Sequence, residues 1–206
     1  MKQYKTIQFT VESGIGIITL NNPPGNPMSL VFFNELLNLC ETHLQNSGLI
    51  GLVIDSAGRH FSSGALISQL QEEVLKNGQG TVPAQMQQNA RAFQIIRNLN
   101  IPAVALLKGI CYGSGFELAL CAGVRIAAPS TSLCLPEVSF GLMPGLGGVS
   151  SLIKICGKAR AMELILGGNA IDAGEARQLG IIHKIIQKDH LKQTAVELIK
   201  NGLFQC

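Results

Sequence analysis

GICYGSGFELALCAGVRIAAPSTSLCLPEVSFGLMPGLGG, residues 109–148, joins a glycine-rich turn, a short helical pattern and a second turn region rich in proline and glycine. Gly113 and Gly115 carry no side chain that would keep a ligand from the backbone. The helix expected after them presents unpaired N–H groups at its positive end, where an oxyanion can be held. Glu117 falls in the first turn of that helix. Glu137 comes twenty residues later, behind a strand-like run at 132–135 and the stiff Pro136. Two carboxyls from separate segments can converge on one substrate, as paired proton-transfer groups must.

Outward from this stretch, apolar runs bounded by Gly, Pro, Asn and Asp alternate with helical patterns, which predicts an α/β fold. Strands are expected at 6–11, 16–20, 51–55, 103–108, 124–127 and 132–135, and helices at 30–45, 84–98, 116–122, 149–155, 160–167, 173–179 and 190–201. The helix at 173 is well marked, because Asp172 and Glu175 stand at capping-box spacing and Gly180 follows its end. In the last helix Leu191, Thr194, Ala195, Leu198 and Ile199 recur at helical spacing, so one face is expected to be buried on its own core or on a neighbour. Segment 68–88, rich in Gln with NGQG in its middle, reads as a mobile loop.

The length of 206 residues suits one domain around a single core, with the core over about 1–186 and a short helical tail at 187–206. Hydrophobic residues make up 47% and charged ones only 14%, a balance that suggests surface covered by partner subunits. No apolar run is long enough for a membrane span, and the opening MKQYKTIQFT lacks a signal-peptide block, which argues for a cytoplasmic protein. A scattered net charge of +3 gives no case for nucleic acid. Cys40, Cys111, Cys121, Cys134, Cys156 and Cys206 show neither CxxC pairing nor histidines at ligand spacing, so they read as reduced, largely buried side chains and no metal is expected.

Five segments resemble the crotonase superfamily, the enoyl-CoA hydratase/isomerase family: LNNPPGNPMS at 20–29, HFSSGALI at 60–67, IPAVALLKGICYGSGFELAL at 101–120, LPEVSFGLMPGLGG at 135–148 and GKARAMELILGGNAIDAGEARQLGIIHKII at 157–186. The resemblance implies the ClpP/crotonase-like fold of stacked ββα units, with a shortened C-terminal helical region because the chain stops at Cys206. It implies an oxyanion hole for an acyl-CoA thioester made by the backbone N–H groups of Ala65 and Ser114. Ser62, Ser63, Gly64, Ala65, Leu66, Ile67, Gly113 and Gly115 would border the substrate and its CoA. The family's two hydratase glutamates fall on Glu117 and Glu137. One would position water and the other would deliver a proton to the neighbouring carbon.

The implied substrate is an acyl-CoA or another acyl thioester, with coenzyme A as part of the substrate and no separate cofactor. The implied assembly is a homo-oligomer, trimer or hexamer. Double-bond isomerisation or decarboxylation uses the same hole with different proton placement, and a non-catalytic assembly partner is the reading of another class. Departures from the family pattern are Leu66 and Gly123 where acids are usual, Ser114 in place of the middle glycine of GGG, and Val149, Ser150, Ser151 and Leu152 where a TQRL-like run is usual.

Simpler readings compete at each site. Gly113, Ser114 and Gly115 alone would be no more than a tight strand-to-helix connection. Ser114 does not sit in GxSxG, since Tyr112 and Phe116 flank it, and GSGFEL lacks the third glycine of a dinucleotide fingerprint. His60, beside the presumed oxyanion loop, is expected to play a surface role.

Overall fold

A computed structural model describes residues 3–45, 48–66, 68 and 84–202. Ile67, Cys206 and residues 69–83 of the expected loop lie outside them; residues 84–88 of that loop belong to a helix instead. Strands β1 (Ile7–Glu12), β2 (Ile15–Leu20), β3 (Gly51–Ser56), β4 (Ala103–Leu107), β6 (Val124–Ala127) and β9 (Lys184–Ile185) form one sheet in the order β1-β2-β3-β4-β6-β9. Only the β1–β2 pair in it is antiparallel. A second sheet holds β5 (Ile110–Tyr112), β7 (Ser132–Cys134) and β8 (Ile171–Asp172) in the order β5-β7-β8. The short β5, β8 and β9 are absent from the sequence reading, because two or three residues carry no usable periodicity.

Strand alternation separates two cores. Ile18, Leu20, Leu52, Ile54, Ala105 and Leu107 face the larger core, which is shared with the helices on that side. Ile15, Ile17, Val53, Val104, Leu106 and Ile126 face the other side. The helices are α1 (Leu30–Leu39), α2 (Ala84–Arg97), α3 (Ser114–Ala119), α4 (Gly148–Cys156), α5 (Lys158–Gly167), α6 (Ala173–Gln178) and α7 (Leu191–Lys200). The expected helix 30–45 changes character at Cys40, where five residues of π-helix carry it to Leu44. Helix α6 starts as its capping residues require, with the Asp172 carboxylate accepting from Glu175 N–H at 2.8 Å.

Helix α7 takes the first of its two expected positions. Leu191, Ala195, Leu198 and Ile199 are buried against the second face of the large sheet, and Thr194 is half-buried. Lys192, Glu197 and Lys200 stay exposed. Burying several aliphatic side chains at roughly 1.5–3 kcal/mol each is ample to seat ten residues of amphipathic helix.

Candidate active site

The loop 60–66 and the turn 112–114 are laced together by backbone. Ser62 bridges Cys111 in parallel register, its N–H donating to Ile110 C=O at 3.1 Å and its C=O accepting from Tyr112 N–H at 3.0 Å. The Ser62 hydroxyl donates to Asn26 C=O at 2.8 Å and accepts from Gly64 N–H at 3.1 Å, so it shapes the loop rather than facing a ligand. Ser63 is exposed, and its N–H is tied to Gly25 C=O at 2.7 Å. Gly64 stands at φ +90, and a Cβ there would lie 2.8 Å from the Tyr112 carbonyl. Only glycine lets the two turns touch.

Met28 pairs with Ala65 through the Gly64 carbonyl and the Leu66 N–H, leaving the Ala65 N–H turned away from that bridge. Gly113 donates its N–H to Cys134 C=O and caps α3. Neither the Ala65 N–H nor the Ser114 N–H has an acceptor among the described residues. The same holds for the Ser114 hydroxyl. Gly115 packs directly on Ser62, since a Cβ would fall 2.6 Å from the serine Cβ. Gly113, Ser114, Gly115 and the loop 62–66 are thus brought together, while Ile67 lies outside the described residues.

Glu117 is 1% exposed. Its Oε1 accepts from the N–H groups of Leu146 and Gly148, both at 2.8 Å, and Oε2 has no hydrogen-bond partner among the described residues. The cradle needs Gly148, because a Cβ there would lie 3.0 Å from the carboxylate oxygen. Burial pushes the Glu117 carboxyl up to about 7; the two amides and the Arg97 charge oppose the rise, and the Glu137 charge adds to it.

Glu137 sits in the one-turn 3-10 helix Pro136–Phe140, and its Oε1 lies 3.1 Å from where a Cβ on Gly113 would be. Its Oε2 is buried without a partner, and burial raises its carboxyl above the ordinary range. The Glu137 carboxyl thus reaches the Gly113 turn, while the Glu117 carboxyl, on the helix that Gly113 caps, is held by the 146–148 segment and feels the Glu137 charge.

Three residues in this arrangement escaped the sequence reading of the site. Asn26, 1% exposed and at φ +46, accepts from Asn22 N–H and donates to the carbonyls of Ala57 and His60, pinning the entry to the loop. His60 corrects the expectation of a surface role: it is half-buried and its Nδ1 accepts from Ile110 N–H at 3.1 Å, fixing the approach to β5. Arg97 donates from Nη2 to Leu146 C=O at 3.2 Å, on the peptide segment that holds Glu117. In sequence it is only a basic residue in the last turn of α2, which ordinarily marks a solvated helix end.

Cys40, Cys111, Cys121 and Cys134 are buried free thiols and Cys156 is half-buried. Burial pushes Cys40 and Cys121 up to about 12 and Cys134 up to about 11, far from thiolate reactivity. Among the described residues no group of three or more His, Cys, Asp or Glu could hold a metal ion, and no helix is long and apolar enough to cross a membrane.

The family model for enoyl-CoA hydratase/isomerase matches residues 10–203. The chain belongs to that family. It is 34% identical over 179 residues to a Bacillus subtilis protein named "probable enoyl-CoA hydratase", covering 85% of this chain and 67% of that one. It is 32% identical over 197 residues to the glyoxysomal fatty acid beta-oxidation multifunctional protein MFP-a of Cucumis sativus, covering 93% of this chain but only 26% of the relative. The chain thus spans about a quarter of that multifunctional protein's length. The fold is that of a candidate enoyl-CoA hydratase from Thermobifida fusca in complex with acetoacetyl-CoA, with a TM-score of 0.83 at 27% identity over 96% of this chain and 80% of the other. The crotonase-like architecture expected from the five motifs is therefore the one observed.

Proposed function

We propose that this chain adds water across the double bond of a 2-enoyl thioester, and removes it in the reverse direction. One observation carries the reading: Glu137 at the Gly113 turn and Glu117 on the helix that Gly113 caps both have raised proton affinity and are electrostatically coupled, beside two N–H groups with no acceptor among the described residues, those of Ala65 and Ser114. The thioester carbonyl oxygen accepts from both N–H groups, which stabilises the enolate-like charge that develops as the double bond is attacked. One such donor is worth on the order of 3 kcal/mol in acyl-transfer enzymes.

Water adds its oxygen to the carbon distal to the carbonyl, and the proximal carbon takes a proton. One carboxyl receives the proton the water loses and the other supplies the proton the carbon gains, so the pair ends the cycle with its total unchanged. Each glutamate has an oxygen for this work. Glu117 keeps Oε2 after Oε1 is committed to the two amides, and Glu137 keeps Oε2. A carboxyl near 7 passes between acid and base at neutral pH, which suits this exchange.

Coenzyme A enters as part of the substrate in this reading, and no separate cofactor is required. The protein acts in the cytoplasm as a homo-oligomer built on trimers. The low charged fraction of 14% and the exposed Phe140 and Met143 just beyond Glu137 support the assembly. The test is a spectrophotometric assay with 2-enoyl-CoA substrates of graded chain length, alongside light scattering after size exclusion. Loss of the conjugated absorbance with formation of the 3-hydroxyacyl product is expected. Migration of the double bond, loss of carbon dioxide from a carboxyacyl substrate, or no turnover at all would each overturn hydration.

A further inference from the structure

At the N-terminal ends of β4 and β6 lies a cavity of about 560 Å³. Its floor is apolar, with Ile96, Leu99, Ile101, Leu120 and Ile155, and its charged groups are all cationic. Arg97, Arg125 and Lys154 all line it, and no Asp or Glu does among the described residues. None of the three makes an ion pair with a described carboxylate. Arg125 is 4% exposed and, among the described residues, donates to the carbonyls of Ile181 and Ala122, both at 2.5 Å. Arg97 gives Nη2 to Leu146 C=O and to the Cys121 sulfur at 3.3 Å, and its Nε is buried with no acceptor. The Cys121 sulfur that Arg97 reaches also lines the cavity, as do Arg125 and the Ala122 to which Arg125 donates.

A buried cation without a paired carboxylate, as Arg125 is, is costly, and proteins ordinarily pair it; the half-buried Arg97 and the exposed Lys154 add positive charge at the same cavity. The family pattern's departures converge here, since Gly123, Ser150 and Ser151 line this cavity where the chain is small or uncharged. The geometry points to a binding site for an aliphatic monocarboxylate: its carboxylate supplies the counter-charge for Arg97, Arg125 and Lys154, and its hydrocarbon chain lies along Leu99, Ile101, Leu120 and Ile155. The site contains neither glutamate and touches the Glu117 cradle only through Arg97, so it does not depend on the hydratase reading.

Isothermal titration of the full chain with octanoate, 1-octanol and inorganic phosphate tests the site, because the three probes carry both features, the chain alone and the charge alone. Octanoate is expected to bind about tenfold or more tightly than either of the others. Gly123→Asp places a carboxylate in the cavity. Gly123 has ordinary backbone geometry, and a Cβ there meets nothing nearer than the Ala103 carbonyl at 3.8 Å. This variant is expected to keep its melting temperature and to lose octanoate affinity by about tenfold. Lys154→Ala, on the exposed end of α4, is a second variant expected to weaken octanoate about threefold with no folding defect. Equal binding of octanoate and octanol, phosphate as tight as octanoate, or octanoate affinity unchanged in both variants would overturn the assignment.

Discussion

The first turn of α3 and the 3-10 turn 136–140 each supply one carboxyl to the candidate site, and they hold it in contrasting ways. Glu117 is sealed in the interior, with one oxygen clamped by two amides of the 146–148 segment, and that segment is tied in turn to Arg97. Glu137 rides a single turn without a buried residue of its own, half-buried, with an oxygen that meets no partner. The difference separates precision from availability. A clamped carboxyl keeps its geometry whatever is bound, whereas an unpartnered one leaves its acceptor capacity for substrate or water. Both are raised by burial and are coupled to each other by charge, and Glu117 also feels the opposing charge of Arg97.

Replacing either glutamate by glutamine should give the largest effect, a loss of roughly 10²–10⁴ in kcat on the best enoyl thioester, because one side of the proton exchange disappears. Steady-state rates for Glu117→Gln and Glu137→Gln decide this, and wild-type turnover in both would break the paired-carboxyl scheme. Next, Ser114→Pro deletes one N–H of the presumed hole and should cost on the order of 10²–10³ in kcat. Ser114→Ala should stay within a few-fold of wild type, since its hydroxyl has no partner to lose; a collapse in the alanine variant would hand the role to the hydroxyl.

Stability measurements then sharpen the contrast between the two glutamates. Glu117 has a folded value near 7 against 4.5 for an ordinary glutamate, so its favourable contribution is whole below about 4.5 and is lost as pH rises to about 7. Glu117→Gln keeps the amide acceptor without the ionisation, so its stability relative to wild type should climb across that window by about 3 kcal/mol and then level off. Denaturant titrations at pH 4.5, 6 and 8 would show it, and a flat difference would remove the case for a buried, raised carboxyl. Glu137→Gln, less buried, should show a smaller rise.

The smallest effect belongs to Arg97. Arg97→Met should move the Glu117 inflection in the pH profile of kcat/KM upward by less than one unit and lower the rate several-fold, with Arg97→Lys recovering the pH position in part, because the charge lowers that carboxyl and the guanidinium also holds Leu146. An unmoved inflection would reduce Arg97 to packing.

What the sequence determined by itself was local or carried by pattern. The alternation of apolar runs placed the long strands within a residue or two. The Asp172 and Glu175 spacing placed the start of α6, and the stripe from Leu191 to Ile199 identified the buried face of α7. The glycine-rich turn with Glu117, and Glu137 behind Pro136, were legible because turn chemistry and carboxylates are readable one residue at a time. Tertiary structure alone decided what those groups meet. Leu146 and Gly148 reach Glu117 across about thirty positions of chain, Arg97 reaches Leu146 across nearly fifty, and Asn26 and His60 brace a loop whose partners lie in other elements. Burial belongs with these contacts. No neighbour in sequence reveals that a helix's first-turn acid will be driven to about 7, because desolvation depends on what folds over it from elsewhere.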